Sequence, residues 1–202
     1  MKLVVGLGNP GLKHEKTRHN LGFMVIEALF KDYASPEEFF RQEKKFLAEI
    51  AEITWQPKKG NPEKVILAKP VTFMNGSGNS IKFISSFYKI KPEDIWVVHD
   101  EVDLPLGAMK IRLGGSSAGH KGIESIIEKL KSEKFWRFRM GIGMQKAKTD
   151  GKKLRKIDSF VLGGFSESER GKAREIIKRG VKAIEGALEE GMEKAMNKFN
   201  TK

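Results

Sequence analysis

The chain of 202 residues contains no cysteine, which excludes disulfides, thiol nucleophiles and cysteine-ligated zinc. It also lacks any apolar run near the roughly 18 residues that a membrane-spanning helix needs. No signal-like segment precedes the first strand, since Met1 and Lys2 lead straight into it. The expected protein is therefore soluble, cytoplasmic and independent of the membrane. Its four histidines, at 14, 19, 99 and 120, match no H-E-x-x-H or comparable ligand spacing, so no metal is expected. Neither an internal repeat nor a break in composition divides the sequence. Residues 1–202 are expected to form one domain, long enough to bury a sizeable core.

What the chain does have is positive charge, unevenly spread. The formal net charge is +12, yet residues 1–104 hold 15 Lys and Arg against 14 Asp and Glu. The excess lies in the second half, and Lys146 to Lys156 alone carries six basic residues and one acid. Such clustering is the footprint of a polyanion ligand, nucleic acid before others, although a solvated basic loop would read the same way.

Gly6 to Gly22, GLGNPGLKHEKTRHNLG, follows the apolar strand Leu3–Val5. Its Gly6, Gly8 and Gly11 fit a G-x-G-x-x-G pattern, and Glu27 stands near the distance expected of a ribose ligand. A dinucleotide site needs a helix to begin within the glycines, so that its amides meet the pyrophosphate. Here Pro10 and a polar segment intervene, and helical spacing starts only at Leu21. The glycines read as loop builders, and Asn9, His14, Arg18, His19 and Asn20 become candidates at a strand's carboxyl end, where open α/β sheets bind ligands.

Further on, Leu47–Trp55 and Val65–Pro70 read as a hairpin, Thr72–Tyr88 as a helix broken early by Gly76 and Gly78, and Asp94–Asp100 as a buried strand. Ala108–Gly115 and Phe135–Met144 read as strands, the latter with Arg137 and Arg139 on one face. Between them lies a helix with Ile123, Ile126, Ile127 and Leu130 inward. A basic loop and one long helix from about Ser166 to Met196 close the chain. Strands alternating with helices predict an α/β three-layer sandwich, a twisted, mostly parallel mixed sheet flanked by helices.

Three polar stretches then share one sheet edge: Asn9–Asn20, Lys69–Gly78 and His99–Pro105. A histidine, a carboxylate and carboxamides suit a water activated by a general base and an oxyanion held by amide donors. Each residue also has a plain structural reading: Asn20 as cap of the first helix, Asn75 as cap of a turn, Asp100 as closure of its loop. The Gly114–Gly122 run is not a Walker motif, since His120 stands at the position of its lysine. Its helix start and Lys121 still predict an anion seat.

Seven stretches in order, GLGNPG at 6–11, TRHNLG at 17–22, KPVTFMNGSG at 69–78, HDEVDLPLG at 99–107, RLGGSSAGHKG at 112–122, FRMGIG at 138–143 and FVLGGF at 160–165, give the chain its resemblance to bacterial peptidyl-tRNA hydrolases. The resemblance implies hydrolysis of the ester joining a peptide to tRNA, on one usually monomeric α/β domain without metal or cofactor. By position it implies that His19 is the general base and Asp100 the carboxylate that orients it. Asn9 and Asn75 would hold substrate and water, Met74 would line the peptide groove, and Arg112 and Arg139 would clamp tRNA phosphates. Two positions depart from the family: Lys121 stands where Asn is usual, and His14 where an aromatic residue is frequent. Lys121 would then meet a phosphate or the substrate carbonyl, or face away, and His14 would offer a weaker stacking contact. An ester is activated, so water and a neutral imidazole of ordinary pKa, about 6.5, suffice. The rival reading is an RNA-binding module that keeps the fold without hydrolysis.

Overall fold

The short runs of Val, Ile and Leu at residues 3–5, 65–67 and 95–98 become neighbouring strands because only a sheet covered on both faces buries such runs completely. In the structure, a computed structural model, residues 1–35, 37–143 and 153–200 are described, with the backbone alone at 153–156. The chain forms β1 (Lys2–Gly6), α1 (Leu21–Tyr33), β2 (Arg41–Glu43), β3 (Ala48–Trp55), β4 (Glu63–Pro70), α2 (Ser77–Phe87) and β5 (Ile95–Glu101). It continues through β6 (Met109–Leu113), α3 (Lys121–Leu130), β7 (Trp136–Gly141), α4 (Lys153–Val161), α5 (Arg170–Glu190) and α6 (Met192–Phe199). One sheet takes the seven strands in the order β2-β3-β4-β1-β5-β7-β6. Its centre, β4-β1-β5-β7, is parallel, and both margins are antiparallel.

Alternation along each strand divides the core in two. Val4, Val98 and Phe138 face α1, α5 and α6, whereas Leu3, Val5 and Val97 face α2 and α3. The expected three-layer sandwich is therefore observed. The start of α1 lies tight against β1: a Cβ at Gly6 would stand 2.4 Å from the Gly22 carbonyl oxygen, and one at Gly22 2.4 Å from the Leu7 amide. These two glycines serve close approach of helix to strand, not a phosphate, and α1 begins ten residues after Gly11.

Three elements differ from the sequence expectation. Residues Lys153–Val161 form α4, where a basic loop had been expected to continue. The apolar positions 157, 160 and 161 pack on the core as helical neighbours, a pattern the flanking lysines obscured. The final helix is two, α5 and α6, because Gly191 takes φ 87° and turns the chain. Gly78 does not break α2. It lies inside that helix where α2 crosses α3, and Gly76 instead belongs to a 3-10 turn, Met74–Gly76, that leads into it. Residues 146–152 of the basic cluster lie outside the described residues.

The α2–α3 crossing is testable at Gly78, whose amide donates to Ser125 Oγ at 3.0 Å. A Cβ there would stand 2.1 Å from the Ser125 carbonyl oxygen. Helix propensity favours Gly78→Ala by about 1 kcal/mol, but forcing backbones apart costs roughly 1–3 kcal/mol or more. The expected result is a melting temperature several degrees lower in a thermal scan. A rise would show that the two helices do not meet at this point.

Candidate active site

Strands that run parallel deliver their following loops to one edge, and here that edge gathers the polar residues. Asn9 follows β1, Met74 and Asn75 follow β4, Asp100 is the last residue but one of β5, and the 3-10 turn Arg18–Asn20 brings His19 in front of α1. Asn20 precedes α1 without capping it. Its Oδ1 accepts from the Asn9 amide at 2.8 Å and its Nδ2 donates to the Asn9 carbonyl at 2.9 Å. Clamped in this way, Asn9 accepts the Met74 amide on Oδ1 at 2.9 Å, which leaves its Nδ2 as a donor for a cleft of about 270 Å³.

The centre of the edge is Asp100, 2% exposed. His19 Nδ1–H donates to its Oδ1 at 2.8 Å, and His120 Nε2–H donates to the same oxygen at 3.1 Å. Burial opposes the carboxylate charge, but the two imidazoles outweigh it and hold the Asp100 carboxyl far below the usual range. The tautomers follow from the partners. An ionised carboxylate only accepts, so the facing ring nitrogens carry hydrogen. His120 Nδ1 accepts from the Gly122 and Ile123 amides at 3.2 and 3.3 Å, which fixes that ring neutral with its proton on Nε2. His19 is committed through Nδ1, so in the neutral ring the lone pair falls on Nε2 at the cleft, the form a general base needs.

His99 stands behind the group. Its Nδ1–H donates to the Asp100 carbonyl at 2.8 Å and its ring meets His120 edge-on at 4.7 Å. Complete burial, then the neighbouring His120, push its pKa well below the usual value, so it is neutral. His19, Asp100 and His120 have donor atoms within 4.8 Å of one another, and among the described residues they are the one group that a metal could join. Both hydrogens between the rings and Oδ1 would have to leave first.

The cleft is lined by Asn9, His19, Met74 and Asn75, with Phe73, with Val161 at the end of α4 and with Leu162 just beyond it. Lys121 borders it and pairs with Asp158 at 3.2 Å. Beyond that pair lies a second cavity of about 300 Å³ walled by Asp100, Glu101, His120 and Ile157. His14 is set back, its ring edge-on to Phe73 at 6.5 Å. Arg112 and Arg139 point from the sheet margin on the same face as Arg137 and Lys110. Arg139 spends Nε and one terminal nitrogen on Glu101 at 3.0 and 2.9 Å.

Other expectations need correcting. The amides at the start of α3 do not form an open anion seat, because His120 already satisfies them. Arg18 is structural: buried, it pairs with Glu169 at 2.8 Å and stacks on Phe160 at 4.3 Å, fastening the His19 turn to the segment after α4. The sequence reading missed His120 as a partner of Asp100. Its signal was the helix start directly after a glycine-rich loop, a place where a side chain that can accept amides is favoured.

Residues 3–202 match the family described as peptidyl-tRNA hydrolase. The peptidyl-tRNA hydrolase of Aquifex aeolicus (strain VF5) is 44% identical over 200 residues, 99% of this chain and 96% of that protein. The peptidyl-tRNA hydrolase of Desulfitobacterium hafniense (strain Y51) is 42% identical over 200 residues, 99% of this chain and 100% of that protein. Among solved structures, the peptidyl-tRNA hydrolase of Acinetobacter baumannii superposes with a TM-score of 0.85 at 32% identity, covering 100% of this chain and 95% of that one.

The lowered Asp100 carboxyl makes a stability prediction with a definite sign. A depressed carboxyl stabilises the fold above its unfolded value, near 3.9, and that contribution fades as pH falls through the range below it. Asp100→Asn is expected to lower the urea midpoint at pH 7, with the gap to the unsubstituted protein narrowing below about pH 4. A gap that widens there would mean that the carboxyl is not held ionised.

Proposed function

The chain belongs to the peptidyl-tRNA hydrolase family, and on that premise we propose that it cleaves the ester between a peptide and the 3′ end of tRNA by water activated at His19. The observation that carries this reading is the 2.8 Å hydrogen bond from His19 Nδ1–H to buried Asp100, which turns Nε2 to the cleft as a base. Water there loses its proton to Nε2 as its oxygen attacks the ester carbonyl. Asp100 stabilises the imidazolium that forms. The developing oxyanion is met by Asn9 Nδ2, with Asn75 and Lys121 as further donors at the same cleft. Collapse of the tetrahedral intermediate expels the 3′-oxygen of the tRNA, which takes the proton back from His19. No covalent enzyme intermediate, metal or cofactor enters the cycle.

Met74 and Phe73, with Val161 and Leu162, offer the peptide apolar contact, and His14 supports Phe73. Both partners of the Lys121–Asp158 pair are more than half exposed, and such pairs are worth about 0–1 kcal/mol. Substrate can therefore part them, freeing Lys121. Arg112 and Arg139 hold tRNA phosphates, Arg112 the more strongly because Glu101 already engages Arg139. The protein works as a monomeric single domain in the cytoplasm, recycling tRNA during translation.

The test is release of peptide from N-acetyl-aminoacyl-tRNA by purified protein with a chelator present. His19→Ala is expected to slow turnover about 10²- to 10⁴-fold, the usual worth of a general base, with tRNA affinity kept. Tight tRNA binding without cleavage by either protein would favour the RNA-binding module instead. In the same assay Arg112→Ala is expected to raise KM and to reduce the salt dependence of binding by about one phosphate contact. An unchanged salt slope would remove Arg112 from the phosphate contacts.

A further inference from the structure

Helix α5 carries Arg170, Arg174, Lys178 and Lys182 at a spacing of four, all exposed. Residues four apart are neighbours on a helix surface, and like charges in that relation destabilise it. Acids placed between them would remove the cost. Glu175 is the one acid from 170 to 182, and among the described residues none of the four bases has an ion pair or side-chain hydrogen bond. Folding therefore gives no reason for this row, and its apolar opposite side, Ala173, Ile176, Gly180 and Ile184, already supplies the helix with its core contact.

The row also starts beside the active site. Arg170 follows Glu169, whose carboxylate pairs with Arg18 at 2.8 Å, and Arg18 adjoins His19. From there twelve residues of helix carry it roughly 18 Å away from the cleft. A nucleic-acid strand presents about one phosphate per 3.4 Å of axis, so on the order of five phosphates lie within that span.

We propose that the α5 row is a second tRNA-binding surface, a track for the phosphate backbone of the tRNA body leading away from the cleft. The inference rests on the hydrolase reading for the identity of the RNA. It is separate from the sheet-margin arginines, because α5 packs on the opposite face of the sheet from Arg137 and Arg139. An anionic partner suits the row by charge, and a tRNA whose 3′ end is engaged at His19 is held where it can reach it. Contacts of this kind position the RNA without reading its sequence.

The test is Arg174→Gln with Lys178→Gln in the full chain, exposed changes between residues of similar helix propensity. Deacylated tRNA is titrated over a range of salt concentrations. The expected outcome is a Kd raised about tenfold near 0.1 M salt and a log–log salt slope shallower by about two. Cleavage of an N-acetyl-aminoacyl ester of the terminal CCA trinucleotide, too short to reach α5, keeps its kcat/KM. Lys82→Gln with Lys91→Gln removes the same charge elsewhere, and is expected to leave the slope unchanged. An unchanged slope in the α5 variant, an equal shift in that control, or loss of short-ester cleavage by the α5 variant would each overturn the proposal. So would lost binding to phosphatidylserine vesicles with tRNA binding intact, which would assign the row to a membrane surface. Failure of the unsubstituted protein to cleave either ester would sink the hydrolase reading instead, with the salt slope still deciding the α5 row.

Discussion

A carboxylate buried to 2% exposure is the constraint on which the site depends. Removing a charge from water costs several kcal/mol unless hydrogen bonds replace the lost solvation. Asp100 recovers it from two imidazole N–H groups on one oxygen, and those rings come from different elements: His19 from the turn before α1 and His120 from the start of α3. The same bonds that make burial tolerable join both layers of helices to the end of β5. They also decide the tautomer of each ring, so structural need and chemical poise are met by one interaction.

Around this centre, amides are assigned with little freedom. Asn20 spends both ends of its carboxamide on the Asn9 backbone, and Asn9 then spends its oxygen on Met74. What remains, one N–H pair of Asn9 and one lone pair of His19, is aimed at the cleft by elimination. A preorganised donor needs no rearrangement when charge develops, which is where such sites gain most. The supporting contacts reach further: Arg137 donates to the carbonyls of Gly115 and Ser116, in the loop that delivers His120, and Arg18 fastens the His19 turn.

Charge is arranged on a coarser scale. The basic excess of the second half of the chain appears as separate features, the sheet-margin group of Lys110, Arg112 and Arg139 and the row on α5. Several of the basic residues are neutralised where they stand, Arg139 by Glu101 and Lys121 by Asp158. Each such pair joins one base to one acid and leaves the net charge of +12 unchanged, and Arg112 and the α5 row matter because no acid among the described residues pairs with them.

Local chemistry was readable from the chain alone. Apolar runs marked β1, β4 and β5, the spacing of Ile123 and Ile126 marked α3, and Pro10 with a late Leu21 excluded a dinucleotide site, because each depends on residues a few positions apart. The convergence of Asn9, Met74 and Asn75 at one edge followed from parallel strands. Hidden from the sequence were α4, whose apolar positions 157, 160 and 161 follow a lysine-rich stretch, the second partner of Asp100, which is His120, and the partners of Asn9. Hydrogen bonds between residues tens of positions apart leave no periodic trace. Which imidazole nitrogen keeps a lone pair, which arginine remains unpaired and where Gly191 turns the last helices were decided only when the tertiary structure assigned each donor its acceptor.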